Sequence, residues 1–346
     1  MIASLLRSRR RAARADPQAV RLARPVISIG NISMGGRGKT PLTGLVARLL
    51  VEAGERPAIL SRGYGRQIAD AGVTVVSDGH PGVDGRADEA RLADLAHSGD
   101  EPLMLARAVP GAAVLVCEQR ALAGTLAETA LGCTVHILDD GFQHHHLRRD
   151  VDIVLVAPED LHAQVMPFGR LREPLDSLDD ADLILVDSSS SGGMEEWGTA
   201  GMNRIPSFLH SPIPPLRRAV LVRRLASPSP YLSPSARVFA VAGIASPERF
   251  FDSLRSAGWT LAGTMGFKDH HRFTVADAKR IGDEASRAAA EAIVTTSKDM
   301  VKLASLGPWP VPLVEMPLEV SVEPAAEFRE WLLASVRSAE AGRLPG

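Results

Sequence analysis

The sequence predicts an α/β protein with a parallel sheet covered by helices on both faces, followed by a smaller α/β domain. Three observations predict this fold. A short apolar run near the N-terminus leads into a glycine-rich loop. Apolar runs of strand length then alternate with segments of helical period, as in successive βαβ units. Ser, Gly and Pro accumulate in the middle of the chain, and the alternation resumes after them. In such a fold, ligands gather at the carboxyl ends of the strands.

The glycine-rich loop within residues 25–40 is the most informative segment. Val26, Ile27 and Ile29 form an apolar run suited to a buried parallel strand. The glycines after it let several amide groups turn toward one point, and a helix begins directly afterwards. This combination predicts a P-loop NTPase-type site for a nucleotide triphosphate. Its predicted binding residues are Ser33, Met34, Gly35, Gly36, Arg37, Gly38, Lys39 and Thr40.

The loop departs from the consensus Gly-x-x-x-x-Gly-Lys-Ser/Thr at its first position, where this chain has Ser33. Two plainer interpretations are open at this point. One is a chance Gly-Lys-Thr in a surface turn, and the other is a regulatory nucleotide site without chemistry. The preceding strand and the intact Gly-Lys-Thr end favour a triphosphate site over both.

The elements after the loop follow from periodicity and from their stop signals. Apolar residues at helical spacing predict a helix over 41–53, and Gly54 ends it. Further strands of the first domain are predicted at 57–60, 73–76, 113–117, 134–138, 151–156 and 183–186, and further helices at 86–97, 102–108 and 120–131. In the second domain, strands are predicted at 238–242 and 293–296, and helices at 247–257 and 275–292.

The length of 346 residues is suited to two domains. Residues 188–203 are rich in Ser and Gly, and residues 206–235 are rich in Pro. We therefore expect a basic N-terminal segment at 1–24, a P-loop core domain at 25–195 and a linker region at 196–235 with some β character. A smaller α/β domain is expected at 236–346, and its C-terminal part would be able to pack back on the core.

Composition excludes several functional classes. The net charge of −2 implies no global attraction to nucleic acid, and aromatic residues are too scarce for a base-stacking surface. The two cysteines lie in apolar runs and are predicted to be buried thiols. No run of about 18 apolar residues exists, so the sequence predicts no membrane-spanning helix.

The N-terminal segment is strongly basic, and two interpretations of it remain open. Residues 1–24 contain seven arginines and one aspartate, beside a short apolar face that includes Ile2, Leu5 and Leu6. A basic helix of this kind can lie on an anionic membrane surface. The alternative is a solvated, frayed terminus.

Carboxylates at the end of a predicted strand suggest a metal site. Asp139 and Asp140 follow the apolar run at 135–138. A carboxylate at this point of a P-loop fold can hold Mg²⁺, with Thr40 as a second ligand. The alternative is a pair of capping aspartates. The three histidines at 144–146 are not expected to bind zinc, since neighbours on an extended chain point to opposite sides.

Two further clusters are open to two interpretations each. Asp100 and Glu101 precede a predicted helix and suit helix caps, which the sequence alone favours, or Asp100 suits a general base for an attacking hydroxyl. Asp269 and His270 precede the helix that begins near Thr274. They suit caps, or they complete an active site from the second domain.

Taken together, these motifs resemble the tetraacyldisaccharide 4′-kinase family of lipid A biosynthesis, over about residues 25–335. The phosphate loop is similar to that of the family, serine at its departure included. The other similar motifs occur in the family's order: Ser61-Arg-Gly-Tyr-Gly-Arg66, Gly99-Asp-Glu-Pro102, Leu138-Asp-Asp-Gly-Phe-Gln-His144, Leu171-Arg-Glu-Pro174, Gly243-Ile-Ala-Ser-Pro247, Phe267-Lys-Asp-His-His271 and Thr295-Thr-Ser-Lys-Asp299.

The resemblance implies an ATP- and Mg²⁺-dependent kinase that phosphorylates the 4′-hydroxyl of a tetraacyl glucosamine disaccharide 1-phosphate and gives lipid IVA. It implies that the smaller domain closes over the substrate. It implies that Asp100 is the base, that His270 pairs with it, and that Lys39 holds the transferring phosphoryl group. Thr40 and Asp139 would serve Mg²⁺. The implied supporting residues are Glu101, Arg120, Asp140, Arg172 and Glu173.

The resemblance also implies a peripheral protein at the cytoplasmic face of the bacterial inner membrane. Its partners would be the lipid substrate and an anionic membrane surface, without nucleic acid or an obligate protein partner. Two departures stand out. The family usually begins with a longer apolar helix, where this chain has an arginine-rich segment, and it usually has Glu where this chain has Ser297.

Two rival classes share the predicted fold. A P-loop ATPase or GTPase switch of the deviant-loop type would carry a lysine at the position of Met34, and a guanine-specific Asn-Lys-x-Asp is absent from the sequence. A soluble small-molecule kinase would need neither a basic N-terminus nor an apolar cleft, so lipid binding distinguishes it.

Overall fold

The computed structural model describes residues 19–35, 38–68, 72–82, 84–187, 218–226, 228, 232–233 and 235–343. Its strands are β1 (Val26–Asn31), β2 (Pro57–Ser61), β3 (Thr74–Asp78), β4 (Ala113–Val116), β5 (Val135–Asp139), β6 (Val151–Val156), β7 (Leu183–Asp187), β8 (Arg218–Leu225), β9 (Arg237–Ala242), β10 (Thr260–Gly266), β11 (Ala292–Thr295), β12 (Leu313–Glu315) and β13 (Leu318–Glu323). Its helices are α1 (Lys39–Glu52), α2 (Leu95–Ser98), α3 (Asp100–Ala108), α4 (Arg120–Thr129), α5 (Pro247–Ser256), α6 (Val275–Arg287), α7 (Ser297–Leu303) and α8 (Ala325–Ala341).

Within the described part of the chain, the strands form two sheets. The larger sheet has nine strands in the order β13-β8-β7-β6-β1-β5-β2-β4-β3. Its inner strands run parallel to one another, and the outer strands β13 and β3 are antiparallel to their neighbours. The smaller sheet has four parallel strands in the order β10-β9-β11-β12. The predicted parallel sheet is confirmed.

Helices cover both faces of the larger sheet, which explains why its central strand is apolar and fully buried. Every residue of β1 is buried, as expected for a parallel strand packed on both sides. Helices α1, α3 and α8 contribute to the core on one face, and α4 contributes to the core on the other. In α1, Leu42, Val46 and Leu50 recur at helical spacing and are wholly buried.

Two of the predicted helices differ from those in the structure. The helix predicted over 86–97 is wrong: the chain forms a 3₁₀ turn at Glu89–Arg91 and then the single turn of α2. Between them the backbone is extended, because the amide of Ala93 donates a hydrogen bond to the carbonyl of Val76 in β3, at 3.0 Å. The helix predicted over 275–292 ends at Arg287, since Ala289 adopts a left-handed conformation (φ 49°) that an α-helix cannot accommodate.

The C-terminal part of the chain contains elements that the periodicity did not reveal, namely β10, β12, β13, α7 and α8. The strand β8, which lies in the predicted linker region, pairs with β7 and β13 and so belongs to the larger sheet. The outer strand β13 and helix α8 also pack on that sheet. The predicted division into domains at 25–195 and 236–346 stays a prediction.

The basic N-terminal segment lies mostly outside the described residues. Its described residues, 19–24, contact the part of the chain that carries the larger sheet. Ala19 and Leu22 are buried, and the amide of Val20 donates to the carbonyl of His146 at 3.0 Å. Among the residues that the structure describes, no helix has both the length and the apolar character needed to cross a bilayer.

Candidate active site

The phosphate loop connects the carboxyl end of β1 to the first turn of α1. Gly38 is the N-cap of α1 and has a left-handed backbone (φ 76°), a conformation that glycine adopts without strain. Gly35 is also left-handed (φ 109°). Two predicted nucleotide-binding residues, Gly36 and Arg37, lie outside the described residues.

Ser33, the residue at which the loop departs from the glycine consensus, is held in place by hydrogen bonds of its side chain and its backbone. Its side chain is fully buried, and its hydroxyl donates a hydrogen bond to Asp160 Oδ2 at 3.0 Å. Its carbonyl oxygen accepts from Asn31 Nδ2 at 2.7 Å. The next residue, Met34, donates its amide to the carbonyl of Arg170 at 2.9 Å and exposes half of its side chain. The hydroxyl of Ser33 therefore fixes the start of the loop to its surroundings.

Lys39 lies between an amide oxygen and a carboxylate. Its Nζ donates to Asn31 Oδ1 at 3.0 Å and forms an ion pair with Asp140 Oδ1 at 3.1 Å. Arg172 also contacts Asp140, with its NH1 3.2 Å from Oδ2. Burial by itself would raise the pKa of Asp140, but the charges of Lys39 and Arg172 outweigh it and lower the pKa. Lys39 and Arg172 thus converge on one anion beside the loop.

Asp139 is a buried carboxylate at the end of β5 without enough positive charge around it. Thr43 donates its hydroxyl to Asp139 Oδ1 at 3.2 Å. Burial, together with the negative charges of Glu101 and Asp140, raises the pKa of Asp139 to about 7. Such a carboxylate fits a site for a divalent cation, whose charge would favour its ionised form.

Thr40 donates its hydroxyl to Glu101 Oε2 at 3.3 Å, so the hydroxyl predicted to serve a metal lies in the same acidic neighbourhood as Asp139. In the part of the chain that the structure describes, no group of three or more His, Cys, Asp and Glu residues is arranged to hold a metal ion. Mg²⁺ does not require such a group, because it commonly uses one or two carboxylates together with substrate phosphates and water.

Asp100 is the first residue of α3, and it is not the helix cap. Gly99 occupies the N-cap position with φ 83°. Asp100 is buried, and its Oδ2 lies 3.1 Å from His270 Nδ1 and 3.7 Å from Lys302 Nζ. Burial would raise the pKa of Asp100, but the hydrogen bond from His270 and the charges of Lys298 and Lys302 lower it. Asp100 is therefore an ionised carboxylate at neutral pH.

His270 reaches Asp100 from a loop of the smaller sheet's unit, 170 positions away in the sequence. It is not a cap either: the N-cap of α6 is Thr274, in a capping box with Asp277. His270 has a left-handed backbone (φ 56°), and its amide donates to Asp269 Oδ1 at 3.0 Å. The hydrogen bond with Asp100 raises the pKa of His270, against burial and the charge of Lys298.

Lys298 joins the two halves of the site, and sequence reasoning assigned no role to it. Its Nζ lies 3.1 Å from each of Glu101 Oε1, Asp269 Oδ1 and His270 Nε2. Glu101 thus accepts from Thr40 with one carboxylate oxygen and from Lys298 with the other. The available signal was its position just after β11, at the carboxyl edge of the smaller sheet. Ser297, the departure from the family pattern, is the first residue of α7.

Two other predicted site residues, Arg120 and Glu173, are buried. Arg120 is the buried first residue of α4, and its NH1 lies 3.3 Å from His144 Nδ1. Burial and the nearby Arg120 lower the pKa of His144 to about 4, so its ring is neutral at neutral pH. Glu173 is buried and accepts from Gln143 Nε2 at 2.9 Å. The same amide of Gln143 donates to the carbonyl of Asn31, which connects Glu173 to the strand that precedes the loop.

Arg223 is a residue of this region that the sequence did not indicate. It comes from β8, and its NH2 donates to the buried Asp187 Oδ2 at 2.6 Å. A Cβ atom placed on Gly38 would lie only 2.8 Å from the guanidinium of Arg223. The guanidinium therefore packs directly against the backbone of the phosphate loop.

The chain is similar to known proteins along nearly its whole length. A sequence model of the family described as tetraacyldisaccharide-1-P 4′-kinase matches residues 1–337. The tetraacyldisaccharide 4′-kinase of Syntrophus aciditrophicus is 36% identical over 340 residues, which cover 92% of this chain and 86% of the relative. The tetraacyldisaccharide 4′-kinase of Koribacter versatilis is 39% identical over 292 residues, which cover 83% and 81%.

A solved structure is also similar. The crystal structure of LpxK from Aquifex aeolicus in complex with ATP matches with a TM-score of 0.72 and 27% sequence identity, over 96% of this chain and 95% of that chain. The P-loop type of α/β fold predicted from the sequence is confirmed.

Proposed function

This chain belongs to the tetraacyldisaccharide-1-P 4′-kinase family, and we propose that it transfers the γ-phosphoryl group of ATP to the 4′-hydroxyl of a tetraacyl glucosamine disaccharide 1-phosphate, giving lipid IVA. One observation carries the proposal. The ionised Asp100, paired with His270, is joined to Thr40 of the phosphate loop through its neighbour Glu101. This connection supports the proposal of a proton acceptor for an alcohol beside a site for a triphosphate.

The phosphate loop is proposed to hold the β- and γ-phosphates of ATP. Its amide groups and the N-terminus of α1 favour anions. Lys39 would exchange its contact with Asp140 for the transferring phosphoryl group. Its side chain is already placed at the loop by Asn31, at 3.0 Å.

Thr40 and Asp139 are proposed to hold Mg²⁺. When bound, Mg²⁺ would neutralise charge on the phosphate oxygens. The buried Asp139, whose pKa is raised to about 7 by burial and by its acidic neighbours, fits a position that a divalent cation completes.

Asp100 is proposed to accept the proton of the attacking hydroxyl. The oxygen of the 4′-hydroxyl forms a bond to the γ-phosphorus, the bond from that phosphorus to the bridging oxygen breaks, and ADP leaves. The proton of the hydroxyl moves to the carboxylate of Asp100. Arg172 and the buried Arg120 would neutralise phosphate charge. Asp140 and Glu173 would position Lys39 and Asn31 respectively.

The decisive experiment is a phosphorylation assay. Purified full-length protein is incubated with labelled ATP, Mg²⁺ and acylated disaccharide 1-phosphate, and a labelled bis-phosphorylated lipid is expected. ATP hydrolysis without labelled lipid would support the ATPase or GTPase switch instead. Equal turnover of a short, water-soluble amino-sugar acceptor would support a soluble small-molecule kinase.

We further propose that the protein is peripheral to the cytoplasmic face of the inner membrane and that its basic N-terminal segment contributes to binding. Each arginine near anionic headgroups would contribute about 1 kcal/mol. Deleting residues 1–18 should weaken pelleting with anionic liposomes, and salt should weaken pelleting of the full chain. A chain with Arg9, Arg10 and Arg11 changed to Gln controls for length. Equal pelleting of full and truncated chains would contradict this role.

A further inference from the structure

Lys298 uses all of its hydrogen-bond donors on named acceptors. An ammonium group has three N–H donors and no acceptor. The three atoms within 3.1 Å of its Nζ are Glu101 Oε1, Asp269 Oδ1 and His270 Nε2. The side chain is largely buried, with 14% of it exposed. The charges of Glu101, Asp100 and Asp269 outweigh burial and raise the pKa of Lys298, so it is an ammonium at neutral pH.

This arrangement determines which ring nitrogen of His270 carries a proton. An ammonium can donate to Nε2 only if Nε2 presents its lone pair. A proton on Nε2 would place two donors 3.1 Å apart, and the nearby carboxylate oxygen, Asp269 Oδ1, is 3.9 Å from Nε2, beyond hydrogen-bond distance. Nδ1 faces Asp100 Oδ2 at 3.1 Å, and an ionised carboxylate accepts hydrogen bonds only. Nδ1 must therefore carry the proton, and the ring is neutral.

The groups around His270 act on its charge in opposite directions. Among the described residues, the charged and titratable groups in contact with the Asp100–His270 pair or with Lys298 include Glu101, Asp269, Lys302 and Tyr64. Tyr64 packs edge-on against the His270 ring, with centroids 4.9 Å apart. His271 turns away and faces Asp277 Oδ2 at 3.2 Å. Asp100, and also Asp269, favour the imidazolium form of His270, and they raise its pKa against burial and the charge of Lys298, which favour the neutral ring. The 3.1 Å contacts at the two ring nitrogens match each donor to an acceptor only in the neutral ring, which is the form expected above the raised pKa of His270.

We propose that Lys298 is a positioning residue that holds His270 as the neutral tautomer protonated at Nδ1, so that Asp100 and not His270 receives the proton of the acceptor hydroxyl. In a carboxylate–histidine pair, the second ring nitrogen is ordinarily the one available to act as base. Here Lys298 occupies that nitrogen. This inference rests on the proposed function for its catalytic consequence, but the tautomer itself does not.

The direct test is nitrogen NMR of the full chain labelled with ¹⁵N-histidine, without substrate. The His270 resonances are assigned by their absence in His270→Gln. At about pH 8, His270 of the wild-type chain should show a protonated Nδ1 and an unprotonated Nε2 that accepts a hydrogen bond. A ring protonated at Nε2, alone or together with Nδ1, would overturn the proposal. This measurement needs no variant of Lys298.

Lys298→Met tests the cause of the tautomer. Without the ammonium, Nε2 is free to take a proton, and the pKa of His270 should rise by about one unit or more. Protonated His270 weakens Asp100 as a base, so turnover should fall about tenfold near neutral pH and recover as the pH rises. Lys298→Arg should restore most of the wild-type profile. Lys279→Met, an exposed lysine on α6 paired with Asp283, is the matched control.

The outcomes separate this inference from the proposed function. An unchanged His270 titration and an unchanged pH profile in Lys298→Met would refute the role of Lys298, even with full kinase activity. A wild-type chain with the expected tautomer but no lipid phosphorylation would refute the proposed function and leave the tautomer assignment intact.

Discussion

The phosphate loop and the proposed base cluster, defined as Asp100, His270 and Lys298, are connected through Glu101 but are assembled differently. The loop is a single stretch of chain between β1 and α1. The base cluster joins positions 170 residues apart at the Asp100–His270 contact and 197 apart at the contact from Glu101 to Lys298. The loop therefore depends on local backbone geometry, whereas the base cluster depends on contacts between the segments that carry the larger and the smaller sheet.

The largest effect is expected from breaking the base cluster alone. Asp100→Asn keeps the size and the hydrogen-bond acceptor of the side chain but removes its basicity. Turnover should fall by about 10² to 10⁴, the range that general bases contribute. ATP affinity should change little, because the loop is untouched. Steady-state kinetics and calorimetry of ATP binding measure the two separately.

Asp283→Asn, at an exposed position on α6, is the control for that experiment and should keep wild-type turnover. Near-normal phosphorylation by Asp100→Asn would show that Asp100 is not the base.

A smaller effect is expected at Glu101, the residue that connects the two regions through its contacts with Thr40 and Lys298. Glu101→Gln removes the charge between Thr40 and Lys298 while keeping the side chain's shape. We expect kcat/KM to fall about tenfold, the scale of one partly buried charged hydrogen bond. Glu284→Gln, whose carboxylate pairs with Arg287 on α6, is the matched control. If Glu101→Gln altered ATP affinity alone, the two regions would be uncoupled at this residue.

The loop can be tested by comparing the glycines at the two ends of α1. Gly38 and Gly54 are both left-handed, with φ of 76° and 87°. Arg223 packs against Gly38, whereas no atom lies within 4 Å of a Cβ placed on Gly54. Each change to Ala should cost about 1 kcal/mol of stability. Only Gly38→Ala should also raise the KM for ATP, by about tenfold, because Arg223 must move.

Equal ATP affinities in Gly38→Ala and Gly54→Ala would show that the contact with Arg223 does not shape the loop. Thermal unfolding of both variants supplies the stability comparison.

The smallest effect is expected in the acid stability of the fold, to which both regions contribute. The pKa values of Asp100 and Asp140 are lowered in the folded chain. Each carboxylate therefore stabilises the fold above its unfolded pKa, near 3.8, and this contribution is lost as the pH falls through the lower folded pKa. Urea unfolding below about pH 4 should show a shallower loss of stability in Asp100→Asn and in Asp140→Asn. Parallel wild-type and variant curves would contradict the lowered pKa values.

Much of the fold could be predicted because its signals are local. The strands of the larger sheet are short apolar runs, and the helix after the loop shows its period in Leu42, Val46 and Leu50. The predictions failed where a contact with another segment decided the backbone, as at Ala93, whose amide pairs with β3. Elements with a weak apolar pattern were not predicted. One of them is α7, which carries Lys298.

In the site, too, some features were predicted from the sequence and others are seen only in the structure. The resemblance to the family, drawn from motifs in order, is confirmed by the family match over residues 1–337. The structure brings Asp100 and His270 together and places Lys39 beside Asp140. Their catalytic roles stay predictions until the variants are measured. Periodicity and composition gave no sign of Arg223, since its meaning comes from where β8 lies in the sheet.

The amino-acid sequence by itself determined the phosphate loop, because glycines, a lysine and a helix start act through neighbouring atoms along the chain. It also determined the apolar strands of a parallel sheet. Only the tertiary structure decided that Lys298 would occupy the second nitrogen of His270. That contact depends on how distant segments of the chain pack together. Hydrogen-bond donors are matched to acceptors in space and not along the chain.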